Sequence, residues 1–330
     1  WGAFMLKLAI IGTGNISHQF IEACQLSKAY QLTAVYSRKL ETARAFAKTY
    51  GPLEVFDNLE QFWKADFDVV YIASPNAIHF EQAKQAITAQ KHVIVEKPAF
   101  SNPRELRTII DLAVENHVFF FEAARNYHEK AFKTIEAFLA DQTILGADFS
   151  YAKYSSKMKD LLGGKNPNVF SAKFSGGSLS DLGIYPVYAA IRLFGQPKDA
   201  NYTATQLKNT VDLNGNGNLI YPDFHVSIRT GKNYDVLDHA EIYTSQGTLH
   251  LNHIQGISSA VFQKHDGSKE KLTINAPQHL MLDEVLAFAS AIENKDLTAY
   301  HTYLNAALAV NQVLYQMRQS AGIIFEADQK

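Results

Sequence analysis

The stretch Leu6-Lys7-Leu8-Ala9-Ile10-Ile11-Gly12-Thr13-Gly14-Asn15-Ile16-Ser17 reads as a short apolar strand running into a glycine turn and then a helix. An apolar run of this length suits a strand buried on both faces of a parallel sheet. Gly12 permits the tight turn, and Gly14 lets backbone come close to a phosphate. The N–H groups around Thr13, Asn15 and Ile16 then face a pyrophosphate at the helix N-terminus. A glycine turn alone is a weak signal; the strand before it and the helix after it make it a nucleotide cradle. Ser17 stands where such turns usually carry a third glycine, so helix–strand packing has to accept a small side chain.

From Met5 to about Glu122, short apolar runs alternate with amphipathic segments, as a parallel α/β sheet requires. The pattern predicts strands at Lys7–Ile11, Leu32–Tyr36, Val69–Ala73, His92–Val95 and Val118–Phe121. It predicts a helix over Leu40–Tyr50 closed by Gly51, and another from Asn102, with Pro103 at its first position and Glu105 completing a capping box. After Ala124 the pattern changes to strand-like runs: Ala147–Tyr154, Ala200–Leu207, Leu219–Thr230, His239–Thr244, Thr248–Ile254, Ala260–Lys264 and Lys271–Ile274. Turns such as Gln246-Gly247 and Asp266-Gly267 join them and make them antiparallel. Helices over His279–Asn294 and Thr302–Ser320 complete the chain.

The expected fold class is α/β: an N-terminal Rossmann parallel sheet plus a C-terminal α+β domain with a large, mostly antiparallel open-faced sheet. Residues 5–123 form the expected NAD(P)-binding domain and 124–330 the substrate-binding and dimerisation domain, the C-terminal helix being able to pack back on the first. Trp1–Phe4 read as a cloning remnant ahead of a native start at Met5.

Composition narrows the function. A chain of 330 residues suggests two domains, and its 47% hydrophobic content supports sizeable cores. A net charge of −2 without a long basic run argues against nucleic acid or an anionic membrane as partner. No apolar stretch approaches the roughly 20 residues of a membrane span. Cys24 is the single cysteine, so no intrachain disulfide forms, which fits a reducing, cytoplasmic setting. His250 and His253 lack a third ligand at metal spacing, so no metal site is expected. No Gly-x-Ser-x-Gly elbow is present to suggest a serine hydrolase.

The second predicted strand ends Val35-Tyr36-Ser37-Arg38-Lys39. An NAD-preferring site puts Asp or Glu there to accept bonds from the ribose hydroxyls. A carboxylate would repel a 2′-phosphate, whereas Ser37 and Arg38 bond and neutralise it. NADP(H) is therefore the favoured cofactor, with NAD(H) the alternative.

Two further stretches, Ser74-Pro75-Asn76-Ala77-Ile78-His79 and Lys91-His92-Val93-Ile94-Val95-Glu96-Lys97-Pro98, together with the glycine turn resemble the signature of the glucose-fructose oxidoreductase / inositol dehydrogenase / MocA (Gfo/Idh/MocA) family. The resemblance covers most of Leu6 to Arg125 and resumes at Gly176-Gly177-Ser178-Leu179-Ser180-Asp181-Leu182-Gly183-Ile184-Tyr185-Pro186. Ser17, and Gln90 where the family often has glycine, are its small departures. The resemblance implies a Rossmann domain followed by an open-faced α/β domain whose sheet often forms a dimer interface. It also implies a cis Lys97–Pro98 bond and cofactor contacts from Ser74, Pro75, Asn76, His79, Glu96, Lys97 and Pro98, with Arg125 a further candidate after the last Rossmann strand.

By resemblance, Lys97 is the residue most readily assigned to catalysis. Its ammonium would bond a substrate oxygen and stabilise the alkoxide that develops as hydride moves. Asp181 and Tyr185 lie four residues apart and share one helical face. A phenol, with an ordinary pKa of about 10, needs a nearby cation to work as acid and base at neutral pH. The expected roles are Tyr185 exchanging the hydroxyl proton, Lys97 polarising the oxygen, and Asp181 orienting the substrate or Lys97. Tyr at position 185 resembles the glucose-fructose oxidoreductase and dihydrodiol dehydrogenase branches and speaks against an inositol dehydrogenase. The expected activity is hydride transfer between a nicotinamide and a secondary alcohol or hemiacetal carbon of a sugar, polyol or diol. The alternatives are reduction of a non-sugar carbonyl, or a non-catalytic nucleotide-binding regulator of the same fold.

Overall fold

The computed structural model describes residues 5–237 and 239–329; the expected remnant at Trp1–Phe4 lies outside the described residues. The chain divides into two compact units, one holding residues up to Ala123 with His279–Asn305, the other holding Ala124–Gln278 with the chain from Ala306 onward.

The first unit is built on six parallel strands, β1 (Leu6–Ile11), β2 (Tyr30–Tyr36), β3 (Glu54–Phe56), β4 (Val69–Ile72), β5 (His92–Glu96) and β6 (Phe120–Ala123), in the order β3-β2-β1-β4-β5-β6. The direction of strand addition reverses between β1 and β4, which puts a ligand crevice outside their carboxyl ends. Leu8, Ala9, Ile10, all of β4 and Val93–Val95 are fully buried, which explains why these segments read as unbroken apolar runs. The chain end contributes to this core. Phe288 of the helix Leu282–Asn294 stacks on Phe121 at 4.6 Å, and Tyr300 meets Phe119 edge-on at 4.7 Å. The Phe120 N–H donates to the Tyr300 hydroxyl, and the Tyr30 hydroxyl donates to the Val285 carbonyl. Each such large apolar side chain, fully buried, contributes about 1.5–3 kcal/mol.

Two sequence expectations need correction here. The strand expected at Val118–Phe121 is Phe120–Ala123, because its register on β5 pairs Val93 with Phe120 and Glu96 with Ala123. The short β3 was missed; three residues on a sheet edge show no periodicity. The capped helix at Pro103–Glu115 forms as expected, with the Asn102 side chain accepting from the Glu105 N–H and Glu105 accepting from the Ser101 N–H.

The second unit holds eight strands: β7 (Ile144–Ala152), β8 (Asp199–Gln206), β9 (Asp212–Ile220), β10 (His225–Gly231), β11 (His239–Thr244), β12 (Gly247–Leu251), β13 (Ala260–Lys264) and β14 (Lys269–Leu272). They lie in the order β14-β13-β12-β11-β7-β10-β9-β8, antiparallel except for the β7–β10 pair. Burial alternates along them: Phe149, Val226, Ile228, Ala240, Ile242, Leu249 and Leu251 face the core beneath the helix Ile184–Phe194. The opposite face carries polar side chains such as Glu241, Tyr243, Thr248 and His250, with His250 Nδ1 2.9 Å from Glu241 Oε1.

The single strand expected over Leu219–Thr230 is two, divided at Tyr221-Pro222-Asp223-Phe224, where the Tyr221 N–H donates to the Phe224 carbonyl. Pro222 supplies no N–H for a ladder, so the chain turns there. β9 extends back through Asn214-Gly215-Asn216-Gly217-Asn218, residues poor in strand propensity that pairing on both sides holds extended. At Gly215 a Cβ would come within 2.3 Å of the Tyr202 ring, which lies across the strand. No described helix is long and apolar enough to cross a membrane.

Three histidines titrate below their ordinary range. Packing around half-buried His128 and the positive Arg192 push it down to about 3, and burial lowers both His79 and His92. The unfolded chain therefore takes up protons near pH 6.5 that the folded chain refuses, so these groups lose stability as pH falls, by up to about 1.4 kcal/mol per pH unit each. Melting temperature should fall between pH 6.5 and 5, and His128→Asn should flatten that slope. An equal slope in the variant would exclude His128 as a contributor.

Candidate functional site

Gly12, at the end of β1, has φ +103°, and a Cβ there would lie 2.5 Å from the Ala73 carbonyl oxygen. Only glycine fits this approach of the first turn to the end of β4. Gly14 is different: its backbone is extended, it caps the helix Asn15–Ser27, and nothing lies within 4 Å of a Cβ built on it. Ser17, fully buried, donates its hydroxyl to the Gly12 carbonyl at 2.9 Å. The serine in place of the third glycine thus ties the helix to the turn. Gly14 and Asn15 are exposed, with Thr13 and Ile16 half-buried beside them. This arrangement fits a dinucleotide pyrophosphate: open space where a side chain would intrude, in front of the N–H groups of a helix start.

At the end of β2 the Ser37 N–H donates to the Phe56 carbonyl, while Arg38 and Lys39 are exposed. No carboxylate occupies positions 36–39. The loop after β4 is half-buried at Ser74, Pro75 and Asn76 and is braced from behind. The Ser74 hydroxyl donates to Gln82 Oε1 at 2.6 Å, and His79 lies with Nε2 2.7 Å from the Ser74 carbonyl and Nδ1 3.1 Å from the Ala99 carbonyl. A neutral imidazole has one N–H, and burial keeps His79 neutral, so the shorter bond to Ser74 is the one donated. His79 is 0% exposed, which makes it a brace for the loop.

The loop after β5 contains the cis Lys97–Pro98 bond. Glu96 is buried; one carboxylate oxygen accepts from the Tyr71 hydroxyl and the other from the Lys97 N–H. Tyr71 is itself fully buried and stacks on Phe20 at 3.7 Å. Lys97 is half-buried between buried Glu96 and buried Pro98, with its backbone N–H held by Glu96.

In the second unit a π-helical turn, Leu179–Gly183, leads into the helix Ile184–Phe194. Such widened turns recur at functional sites because they re-aim one or two side chains. Buried Asp212 holds the turn's start, accepting from the Leu179 N–H and the Tyr202 hydroxyl, and Ser178 bonds Thr230. Asp181, within the turn, pairs with Lys232. Tyr185 is buried; its ring meets Tyr151 edge-on at 5.3 Å, and the Arg125 guanidinium lies 5.4 Å from the ring centre. Arg125 also donates to Gln255 Oε1, while fully buried Asn126 donates to the Tyr185 carbonyl. Arg125, a cofactor candidate from the sequence, thus lies against Tyr185. Fully buried Phe170 packs under Lys232, whose ammonium is 5.7 Å from the ring centre.

Sequence reasoning missed Lys232, Tyr71 and Tyr151. Lys232 is 51 residues from Asp181 in the chain and belongs to no motif; only the sheet brings the two together. Among the described residues no group of His, Cys, Asp and Glu is arranged to hold a metal.

Residues 6–124 match a protein family described as an oxidoreductase family with an NAD-binding Rossmann fold, Gfo/Idh/MocA. The chain is 36% identical to the oxidoreductase YgjR of Escherichia coli, over 98% of this chain and 99% of that one. It is 34% identical to scyllo-inositol 2-dehydrogenase (NADP(+)) IolU of Bacillus subtilis, over 98% of this chain and 100% of that one. Its fold is similar to that of KijD10, a 3-ketoreductase from Actinomadura kijaniata solved with NADP and TDP-benzene, at TM-score 0.85 and 20% identity, over 98% and 99% of the two chains.

The two glycines should separate folding from binding. Gly12→Ala meets both the clash with Ala73 and an unfavourable φ, and should destabilise the protein by at least about 2 kcal/mol. Gly14→Ala should melt like the parent yet bind NADPH roughly tenfold or more weakly, because its methyl enters the phosphate space. Unchanged NADPH affinity in Gly14→Ala, measured by fluorescence titration, would remove the cradle from the site.

Proposed function

The chain belongs to the Gfo/Idh/MocA oxidoreductase family, and on that premise we propose that it is an NADP(H)-preferring enzyme acting on a secondary alcohol carbon of a sugar or polyol. The observation that carries the reading is the anchoring of Lys97. A lysine at the carboxyl end of an interior parallel strand, its backbone N–H held by Glu96 and Glu96 in turn by Tyr71, places a cation at the ligand end of the sheet. A cation at that end stabilises negative charge as it develops on a reacting oxygen.

The nicotinamide, when bound, supplies the acceptor or donor of hydride. Gly12, Thr13, Gly14, Asn15 and Ile16 are assigned to its pyrophosphate, Ser37 and Arg38 to its ribose phosphate, and Ser74, Pro75, Asn76 and Pro98 to the cofactor wall. Glu96 and His79 serve that wall by holding Lys97 and the Ser74 loop. Lys97 donates to the reacting oxygen, Tyr185 exchanges the hydroxyl proton, and Asp181 accepts from a substrate hydroxyl. Residues 5–123 are the assigned nucleotide-binding domain, and residues 124–330, apart from His279–Asn305 which join the first unit, the substrate and dimerisation domain, with the polar sheet face as the surface for a second copy. A cytoplasmic setting completes the reading.

Ser37 and Arg38 in place of a carboxylate favour NADP(H), and the NADP(+) in the name of the Bacillus subtilis relative supports it. The expectation that Tyr185 speaks against inositol as substrate does not find support in that relative, named as a scyllo-inositol dehydrogenase. Scyllo-inositol is therefore the first substrate to assay.

Lys97→Ala should abolish turnover and leave NADPH affinity within a few-fold; an activity that survived this change would sink the mechanism. Loss of a charge-assisted bond of about 1.5–3 kcal/mol in Arg38→Ala should weaken NADPH binding roughly tenfold or more and leave NADH unchanged. Parallel fluorescence titrations with both nucleotides test this, and equal affinities in the parent protein would overturn the NADP(H) preference.

A further inference from the structure

We infer that Lys232 is a positioning residue: it fixes the Asp181 carboxylate so that Asp181 receives a substrate hydroxyl. This rests on the reading of the second unit as a polyol-binding surface. Lysine is almost never buried without a partner, yet the Lys232 side chain is only 4% exposed. Its partner Asp181 is 39% exposed. The buried member of the pair is therefore the cation, and the carboxylate is the member that faces outward.

The lysine is held from several directions. Its N–H donates to the Leu213 carbonyl at 2.9 Å, and its carbonyl accepts from the Ser155 N–H at 2.8 Å, which prevents the backbone from carrying the side chain out to solvent. The ammonium lies over the buried Phe170 ring at a distance where a cation is attracted to the ring face. A second carboxylate, Asp212, is close enough to be influenced by the Lys232 charge, but its Oδ2 already accepts from Leu179 and Tyr202. Asp181 is the carboxylate that Lys232 bonds directly.

The end of β10 grips the π turn at two points: Thr230 bonds Ser178, and Lys232, two residues on, bonds Asp181. The position of Asp181 is thus set by the same strand end. An ionised carboxylate held this way accepts hydroxyl hydrogen bonds worth about 1.5–3 kcal/mol each. Because such a bond forms in the bound ground state as well as in the transition state, its loss registers in KM more than in kcat.

The test compares Lys232→Met, Lys232→Arg, Asp181→Asn and the Lys232→Met/Asp181→Asn double variant with the parent protein. NADP+ reduction is assayed with scyllo-inositol, myo-inositol and glucose, beside melting temperature and NADPH titration. Lys232→Met should raise KM for the preferred polyol roughly tenfold, equivalent to about 1.4 kcal/mol, with kcat changed little and NADPH affinity unchanged. Lys232→Arg should restore most of the loss. The double variant should match Asp181→Asn alone, because Lys232 acts through Asp181. A folded Lys232→Met protein with the parent's KM, or losses that add in the double variant, overturns the inference and leaves the polyol reading standing. Failure of the parent protein to oxidise any of the three polyols overturns the polyol reading and this inference with it.

Discussion

The contact between Gly12 and the Ala73 carbonyl is the constraint on which the nucleotide end depends. It holds the first turn against the end of β4 at a distance no side chain permits. The neighbouring ends of β4, β5 and β6 are tied outward from it by side-chain bonds. Ser17 returns the first helix to the Gly12 carbonyl, His79 bonds the Ser74 carbonyl while lying against Ala99, and the Ala99 N–H donates to Glu122 at the end of β6. Tyr71 and Glu96 join β4 to β5 and hold the Lys97 backbone. Four adjacent strand ends, β1, β4, β5 and β6, therefore form one rigid rim. Rigid placement matters because a site displaced by about 1 Å loses much of its effect on rate.

The second unit solves a different problem, that of holding charge on the inner side of a sheet. Isolated buried charges are costly, and they persist where hydrogen bonds and opposite charges meet them. Asp212 accepts bonds from Leu179 and Tyr202 even though burial raises its pKa. Lys232 finds Asp181 on one side and the Phe170 ring on another. Replacing such groups with apolar residues of similar volume is often neutral for stability, so their value lies in geometry. Here the geometry they set is that of the π turn, which presents Asp181 and leads into the helix that bears Tyr185.

Much of the nucleotide end was legible in the chain because its signals are local. The glycine turn, the capped helix at Pro103 and the apolar runs of β1, β4 and β5 each depend on residues within a few positions of one another. The second sheet was legible as a class but less so in detail. Pro222 divides what read as one strand, and the Asn-Gly alternation of β9 gives no strand signal until β8 and β10 pair with it. Position 17 shows the same limit in a single residue. The chain revealed a departure from glycine there, but not that the serine hydroxyl would bond the turn it replaced.

The sequence by itself determined the class of both sheets and the location of the glycine turn, and its family resemblance put forward Lys97, Asp181 and Tyr185 as candidates. Periodicity, turn chemistry and motif spacing act over short separations and can be read along the chain. Only the tertiary structure decided which residues hold those candidates in place. Tyr71 meets Glu96 across 25 residues, Lys232 meets Asp181 across 51, and Asn126 meets Tyr185 across 59. Burial enforces these pairings: a polar group removed from water must find a partner wherever the fold brings one, and that choice follows strand order and register, not proximity along the chain.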